Sequence, residues 1–415
     1  MSDLQKNSAV YVVATMDTKG AEAAFVASAL RSAGTTPVMV DVGTQFAPSV
    51  EPDVCRKSVL AAGNQPLPTG PASDRGTAIH IMAQALKDYL LAEYRAGRVQ
   101  GVIGLGGSGG TSLITTAMRA LPIGMPKLMV STVASGNVAP YVDCSDILLM
   151  YSVVDVAGLN AVSEVVLGNA AHAMAGMVLH PQQGRSNRPA LGMTMFGVTT
   201  PCVTAVRQQL EADGFDCLVF HATGSGGRAM EQLVASGLIS GVLDITTTEV
   251  ADEIVGGVFP AGPHRFEKLL QAEIPLVLSL GALDMVNFGA MDTVPEQFRQ
   301  RKLHVHNANV TLMRTSVEEN VQIARWIAGK LNLSTAPLTV LVPEGGVSLI
   351  DVPGQPFYDP EADQALFHEL ERCLQITDKR RLVRLPYVIN EPQFSTAVLH
   401  EFRQIMAMHD KRNAN

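Results

Sequence analysis

The chain has 415 residues, which at about 150 residues per domain favours two domains. Hydrophobic residues make up 47% and charged residues 17%, a balance that excludes an intrinsically disordered chain. The formal net charge is −8, no long block of lysine and arginine occurs, and aromatic residues make up only 5%. Nucleic-acid binding is therefore not expected, because it needs clustered cations and stacking rings.

Cysteine usage and the N-terminus indicate a reducing compartment. The five cysteines are odd in number, widely spaced and without a C-x-x-C pattern, which argues against a disulfide framework or a zinc knuckle. The first residues carry an acid early and too short an apolar stretch for a signal peptide. The uncharged runs 99–118 and 165–184 are rich in small and polar residues, unlike a membrane-spanning helix. The sequence predicts a cytoplasmic protein without a membrane partner.

The first segments alternate strand and helix. AVYVVAT is a buried-strand run, AEAAFVASALRSA has the apolar spacing of a helix, and PVMVDVG is the next strand. The same order returns from ALGMTMFG through CVTAVRQQLEAD to FDCLVFHATG. We interpret this as two α/β domains, 1–183 and 184–415, joined through the polar stretch 180–189, which contains proline and glycine.

Several predicted strands are apolar throughout, namely GVIGL, KLMVS, GVLDI, PLVLSL and TVLVP. Such strands are typical of parallel sheets covered by helices on both faces. We therefore predict two Rossmann-like, doubly wound subdomains with mainly parallel sheets and a ligand cleft between them. In such sheets, ligands bind beyond the carboxyl ends of the strands. The string STAVLHEFRQIMAMH predicts a terminal helix.

The strongest local signal is the string VIGLGGSGGTSLITTAM at 102–118. An apolar strand enters a glycine-rich loop and a helix leaves it, so backbone amides and a helix N-terminus point at one place, which suits an anion. The alternative is a glycine-rich turn that allows close packing of helix on strand. The residues predicted to hold a phosphate are Gly106, Gly107, Ser108, Gly109, Gly110 and Thr111.

This loop nearly matches the P-loop pattern G-x-x-x-x-G-K-[ST]. Gly104 and Gly109 have the required spacing and Thr111 has the required place, but Gly110 stands where the pattern has lysine. That lysine normally contacts the β and γ phosphates. An ordinary P-loop NTPase is therefore disfavoured, and a phosphate or nucleotide site of another kind is favoured.

Polar residues after the first strand are further candidates. Thr15, Asp17 and Lys19 follow AVYVVA, where ligand groups of an α/β sheet belong, and Lys19 can supply the cation missing from the glycine loop. The alternative is that Asp17 or Thr18 is an ordinary helix cap.

A second glycine loop, HATGSGGR, occurs in the second half. Thr223, Gly224, Gly226 and Gly227 follow a strand and precede a helix expected to open near 229, and Arg228 adds a cation there. We interpret the two loops as occupying matching positions in the two halves. They could hold the two ends of one ligand; alternatively, one binds phosphate and the other serves packing.

Other polar stretches leave two interpretations open. DITTTEVADEIVGG, with Asp244, Glu249 and Asp252, could hold Mg²⁺ through water or cap a helix. His304 and His306 share one strand face, but a third ligand is not apparent, so we predict no metal site. The small-residue helix at 158–179 is either an interdomain helix or a symmetric subunit contact. No G-x-S-x-G elbow or Ser/His/Asp arrangement is recognisable, and catalytic residues stay unassigned.

Five separated motifs, in order along nearly the whole chain, resemble one protein family. They are VVATMDTKGAE, GLGGSGGT, FHATGSGGRAME, DITTTEVAD and VPEGGVSLID. The family includes the N-terminal ATP-binding domain of the tomato mosaic virus resistance protein and its bacterial relatives. The resemblance implies two Rossmann-like subdomains, ATP binding, a homodimer, and in bacteria a separate barrel enzyme as partner.

The resemblance gives a ligand but no established reaction. It implies that residues 106–111 contact the phosphates, with Thr15, Asp17 and Lys19 and the second loop as further contacts. We expect a nucleotide-binding protein, with ATP and possible Mg²⁺, that regulates or assembles with a barrel enzyme. The alternatives are a metabolic enzyme for a small phosphorylated or carboxylate substrate and a non-catalytic interaction module. The acidic residues Asp244, Glu249, Asp252 and Asp351 keep the enzyme alternative open.

Overall fold

The structure is a computed structural model, and it describes residues 8–64, 74–182 and 188–413. The chain divides into two compact units, Met1–Gly184 (unit 1) and Arg185–Asn415 (unit 2). Residues 183–187 of the stretch predicted as a linker lie outside the described residues. The cleft predicted between the halves stays a prediction.

Unit 1 contains one parallel sheet in the order β2-β1-β3-β4-β5. Its strands are β1 (Ala9–Ala14), β2 (Pro37–Asp41), β3 (Val99–Gly106), β4 (Lys127–Ser131) and β5 (Leu148–Tyr151). Its helices are α1 (Met16–Ser32), α2 (Arg56–Gly63), α3 (Arg75–Arg95), α4 (Ser108–Met118), α5 (Ala139–Val142) and α6 (Ala161–Leu179).

Alternating side chains of the central strands build two cores in unit 1. Val10 and Val12 of β1 pack with α1 and α6 on one face of the sheet, whereas Tyr11 and Val13 pack with α3 and α4 on the other. Every residue of β1 is buried. The apolar strands therefore lie between two helical layers, which confirms the predicted doubly wound α/β fold.

Helix α6 is the one helix within the described residues that is long and apolar enough to cross a membrane. Its inner face, with Leu167, Ala170 and Met174, packs in the core of unit 1. Of its most apolar 18-residue window, 33% is buried. The outer face includes exposed Val162 and Val165.

Unit 2 contains a six-stranded parallel sheet and a smaller sheet. The large sheet has the order β14-β13-β9-β8-β6-β7. The strands are β6 (Ala190–Met195), β7 (Asp216–His221), β8 (Gly241–Thr246), β9 (Leu276–Gly281), β10 (Met285–Phe288), β11 (Leu303–Asn307), β12 (Val310–Arg314), β13 (Leu338–Pro343) and β14 (Arg380–Leu385). The helices are α7 (Thr200–Ala212), α8 (Ser225–Ala235), α9 (Thr248–Val255), α10 (Glu267–Gln271), α11 (Val317–Leu331), α12 (Pro360–Cys373) and α13 (Pro392–Asn413).

The smaller sheet of unit 2 is antiparallel, in the order β10-β12-β11. Val286 of β10 and Met313 of β12 face the main core, which also contains residues of α9 and α11. The sequence did not predict this sheet, because its strands are short and only partly apolar. The predicted terminal helix is α13, whose Phe394, Val398 and Phe402 pack against the parallel sheet.

Candidate functional site

A cavity of about 280 Å³ opens in unit 1 at the carboxyl ends of β1 and β3. These two strands are the neighbours at which the strand order reverses, and doubly wound sheets bind ligands at that switch point. The lining residues are Thr15, Asp17, Thr18, Lys19, Thr44, Gln45, Arg75, Ile79, Gly107, Ser108, Gly109, Gly110 and Leu113. The fold therefore brings Thr15, Asp17 and Lys19 together with the first glycine loop.

Helix α4 begins inside that glycine loop. Gly107 is the extended N-cap residue, and Ser108, Gly109 and Gly110 form the first turn. Across the described ranges, the amides of these three first-turn residues donate to no protein acceptor. Because the N-terminus of a helix carries partial positive charge, these amides are ready donors for an anion.

Two cations line the cavity without a protein partner. Neither the Lys19 ammonium nor the Arg75 guanidinium makes a hydrogen bond or ion pair with another described residue. A methyl group built on Gly109 would lie 3.8 Å from Arg75 Nη2, so the guanidinium is close to the glycine loop. Lys19 and Arg75 occupy the first turns of α1 and α3, where a positive charge opposes the helix dipole. An anion in the cavity removes that conflict.

Gly106 and Thr111 support the loop and do not line the cavity. A methyl group on Gly106 would lie 2.9 Å from Gly110 Cα, so the loop folds back closely over a glycine. Thr111 is fully buried, and its Oγ1 lies 2.7 Å from Oγ of Ser131 in β4. The sequence placed both residues among the phosphate contacts, whereas here they maintain the shape of the loop.

Thr15 and Asp17 have different surroundings at the start of α1. Thr15 is the N-cap residue, but its side chain makes no capping bond, and its Oγ1 lies 3.2 Å from Oγ1 of Thr18. Asp17 Oδ2 accepts bonds from the amides of Gln45 (3.2 Å) and Phe46 (3.3 Å). Asp17 therefore holds the segment after β2 at the edge of the cavity and is the one carboxylate among the lining residues.

The second glycine loop already holds a carboxyl group of the protein itself. The amides of Gly224 and Gly227 donate to Glu249 Oε1 at 2.7 Å and 3.1 Å. Burial raises the pKa of Glu249, and Arg265 and the two amides oppose that rise. Thr223 lies beside these glycines at the start of the loop and Gly226 is within the first turn of α8. The donors expected to meet a phosphate thus stabilise a buried glutamate.

The position of the second loop also differs from the sequence interpretation. It follows β7, an edge strand of its sheet, whereas the first loop follows β3 at a switch point. The two loops therefore do not occupy matching positions in their units. Helix α8 begins at Ser225, four residues before the expected opening near 229.

Arg265 ties the second loop to two further acids. Its Nη1 lies 2.8 Å from Glu231, its Nη2 2.7 Å from Asp244 and its Nε 3.3 Å from Glu249. Asp244 also accepts a 2.7 Å bond from Thr194. All four charged side chains are buried, so Asp244 and Glu249 are structural partners of an arginine.

The remaining acidic and histidine candidates are Asp252, His304 and His306. Asp252 accepts bonds from the amides of Phe259 (2.8 Å) and Asn287 (2.7 Å) and is fully buried. Burial raises its pKa to about 7. His304 and His306 lie in β11 as predicted. Among the described residues, no group of three or more His, Cys, Asp or Glu is arranged to hold a metal ion.

Arg75 is the charged lining residue that sequence reasoning missed. It lies 32 positions before Gly107 in sequence and follows Asp74, which caps α3 through a 3.0 Å bond from the Thr77 amide. An arginine directly after a helix cap is an electrostatic mismatch. This unfavourable position was the signal in the sequence that Arg75 could have a function. Only the fold shows that Arg75 lies beside the first glycine loop.

Family profiles match both units. The Uncharacterised protein family (UPF0261) N-terminal domain matches residues 8–183, and the C-terminal domain of the same family matches residues 188–406. The chain belongs to this family. A solved C2-type ketoreductase from a modular polyketide synthase covers 94% of this chain and 84% of its own, at 15% identity and a TM-score of 0.23. That overlap is too low to carry an argument about function.

Relatives come from bacteria and from a plant. A UPF0261 protein of Rhizobium meliloti (strain 1021) is 54% identical over 95% of this chain and 98% of its own length. A UPF0261 protein of Clostridium tetani is 44% identical over 96% and 99%. The ToMV resistance protein Tm-1(GCR237) of Solanum lycopersicum is 46% identical over 98% of this chain, which corresponds to 57% of the tomato protein.

Proposed function

We propose that unit 1 binds the phosphate groups of a nucleotide in the switch-point cavity, with ATP as the expected ligand. The single observation that carries this proposal is the unpaired state of Lys19 and Arg75 beside the free first-turn amides of α4. A protein with a net charge of −8 does not attract polyanions through its overall charge. Binding of a polyanion therefore requires a local concentration of hydrogen-bond donors and cations. The nucleotide class rests on the family resemblance.

Lys19 and Arg75 take the role of the lysine that Gly110 replaces. In this proposal the α4 amides hold one phosphate group, and the two cations neutralise its charge and that of a neighbouring phosphate. Asp17 is the lining carboxylate that a phosphate-bound Mg²⁺ would meet. The proposal is one of binding, because the other acids that kept an enzyme alternative open are buried in the core of unit 2.

The biological role follows from the resemblance alone. We infer a cytoplasmic homodimer whose nucleotide site regulates, or controls assembly with, a separate barrel enzyme. Light scattering of the purified chain with and without ATP tests the dimer. Retention of the barrel protein on the immobilised chain, compared with and without ATP, tests the partnership.

Calorimetric titration with ATP and Mg²⁺ tests the site itself. Lys19→Gln and Arg75→Gln are each expected to weaken binding about tenfold or more, since a charge-assisted hydrogen bond contributes about 1.5–3 kcal/mol. Gly109→Asp places a carboxylate at the anion position and should abolish binding. The matched controls are Lys57→Gln, on the exposed side of α2, and Gly176→Asp, where an added side chain meets open space.

Two results would contradict the proposal. Unchanged ATP affinity in a folded Gly109→Asp protein would place the nucleotide elsewhere. Absence of heat with ATP, combined with thermal stabilisation by sugar phosphates, would retain the anion site but exclude the nucleotide.

A further inference from the structure

Unit 2 contains a second buried arginine, Arg314, which also faces three carboxylates. Its Nη2 lies 2.5 Å from Asp363 and 3.6 Å from Asp351, and Asp284 is the third acid that acts on its charge. These four side chains are at most 8% exposed. If all three acids were ionised, two negative charges would stay uncompensated in a buried region, which is costly.

All three guanidinium nitrogens of Arg314 already donate hydrogen bonds. Nε donates to the carbonyl oxygen of Phe357 (2.7 Å), and Nη1 donates to Thr315 Oγ1 (2.8 Å). Nη2 donates to Asp363 Oδ1 and to the carbonyl oxygen of Asp359 (3.2 Å). The guanidinium therefore gives hydrogen bonds to only one of the three acids.

Asp351 and Asp284 each keep one bare oxygen. Asp351 Oδ2 accepts from the Val347 amide (2.9 Å) and Asp284 Oδ2 accepts from Ser348 Oγ (2.8 Å). The Oδ1 atom of each acid is buried and has no hydrogen-bond partner within the described ranges. A buried oxygen without a hydrogen bond costs more free energy on an ionised carboxylate than on a neutral acid. Protonation turns such an oxygen into a hydrogen-bond donor.

We propose that Asp351 is a neutral carboxylic acid in the folded protein, donates its proton to Asp363, and thereby latches segment 344–359 onto helix α12. Asp363 is the natural acceptor because its carboxylate and that of Asp351 both lie near Nη2 of Arg314. The latch joins the loop after β13 to the first turn of α12. This inference does not depend on the nucleotide site of unit 1.

The electrostatic surroundings of Asp351 also favour its neutral form. Burial, followed by the charges of Asp284 and Asp363, raises the pKa of Asp351 to about 9, and Arg314 opposes that rise. Burial also raises the pKa of Asp363, on which Asp359 acts as a further negative charge. Because the folded protein binds this proton more tightly than the unfolded chain, the stabilisation is complete at low pH and is lost as pH rises towards about 9.

The two clusters of unit 2 make an internal comparison. Around Arg265, every carboxylate accepts from the guanidinium, and Glu249 and Glu231 also accept from backbone amides. Hydrogen bonds of that kind favour the ionised form. The Arg314 cluster lacks such a bond at Asp351 Oδ1, where a proton can supply the missing hydrogen bond.

Carbon-13 NMR of aspartate carboxyl groups tests the proposal directly. In the wild-type chain, one carboxyl carbon should titrate well above pH 7, and that signal should be missing in Asp351→Asn. The amide of asparagine can donate to Asp363 as the protonated acid does. The midpoint of urea unfolding should therefore fall more steeply with rising pH in the wild type than in Asp351→Asn.

Asp292→Asn, an exposed substitution in unit 2, is the matched control and should keep the wild-type pH profile. Asp252 and Asp284 also titrate above the usual range of aspartate, so the difference between the two profiles is the quantity to compare. If no wild-type carboxyl titrates well above pH 7, Asp351 is ionised and the proposal is wrong. Persistence of the high-pH signal in Asp351→Asn would overturn the assignment equally. The wild-type titration alone can overturn the proposal even if the variant does not fold.

Discussion

The ammonium group of Lys127 lies 2.6 Å from the carboxylate of Asp146, although the Lys127 side chain is completely buried. Lys127 begins β4, and its second partner is the carbonyl oxygen of Pro122. Burial lowers the pKa of Lys127, and Asp146 opposes that effect. The carboxylate thus compensates a charge that the sheet of unit 1 encloses.

Removal of Asp146 should destabilise unit 1. Asp146→Ala leaves a buried ammonium with one carbonyl partner, and we expect a loss of about 1–3 kcal/mol in the free energy of unfolding, because Asp146 itself is partly exposed. Urea unfolding followed by circular dichroism measures the loss. Asp88→Ala is the matched control, since Asp88 and Lys87 form a loose, exposed pair at 3.9 Å, and it should change little. Equal effects of the two substitutions would contradict the role given to the buried lysine.

A methyl group on Gly106 should disturb the site and the fold together. The added atom would press on the backbone of Gly110, so Gly106→Ala is expected to displace the first turn of α4. We expect a loss of about 1–3 kcal/mol in stability and at least a tenfold loss of ATP affinity. Gly168→Ala in α6 is the control, because its methyl group meets no atom within 4 Å and alanine favours helix. Retained affinity in Gly106→Ala would show that the loop shape is not required.

Arg265 should be among the least replaceable residues of unit 2. Arg265→Met keeps much of the side-chain volume but leaves Glu231, Asp244 and Glu249 buried without their cation. We expect a loss of about 3–5 kcal/mol in the free energy of unfolding. Arg31→Met, at the exposed end of α1, is the control. A stability of Arg265→Met within about 1 kcal/mol of the wild type would show that the three acids take up protons at little cost.

The fold could be predicted from local sequence patterns because the residue types of each strand depend on whether its two faces are buried. The apolar runs that became β1, β3, β4, β8, β9 and β13 are buried on both faces, and their sequences show it. The strand around His304 and His306 was predicted, but the antiparallel sheet was not, because the short, partly exposed segment Leu303–Asn307 does not indicate which strands pair with it.

The site was predictable only where its residues lie at a strand end. Lys19 and Gly109 could be assigned because parallel strands end at one edge of the sheet. Arg75 could not, since its approach to the loop depends on how α3 packs against α4. Glu249 shows the opposite error. Its sequence context allowed a helix cap or an Mg²⁺ ligand, and nothing local indicated that it would fill the loop at Gly224.

The bond between Glu249 and the second loop provides an internal reference for hydrogen exchange. The amides of Gly224 and Gly227 are buried and paired with a carboxylate, so they should exchange slowly with deuterated solvent at all times. The amides of Gly109 and Gly110 lack such a partner and should exchange quickly until a ligand arrives. The described part of the chain thus contains one glycine loop with paired amides and one with unpaired amides, and slower exchange of Gly109 and Gly110 on addition of a ligand would indicate occupancy of the cavity.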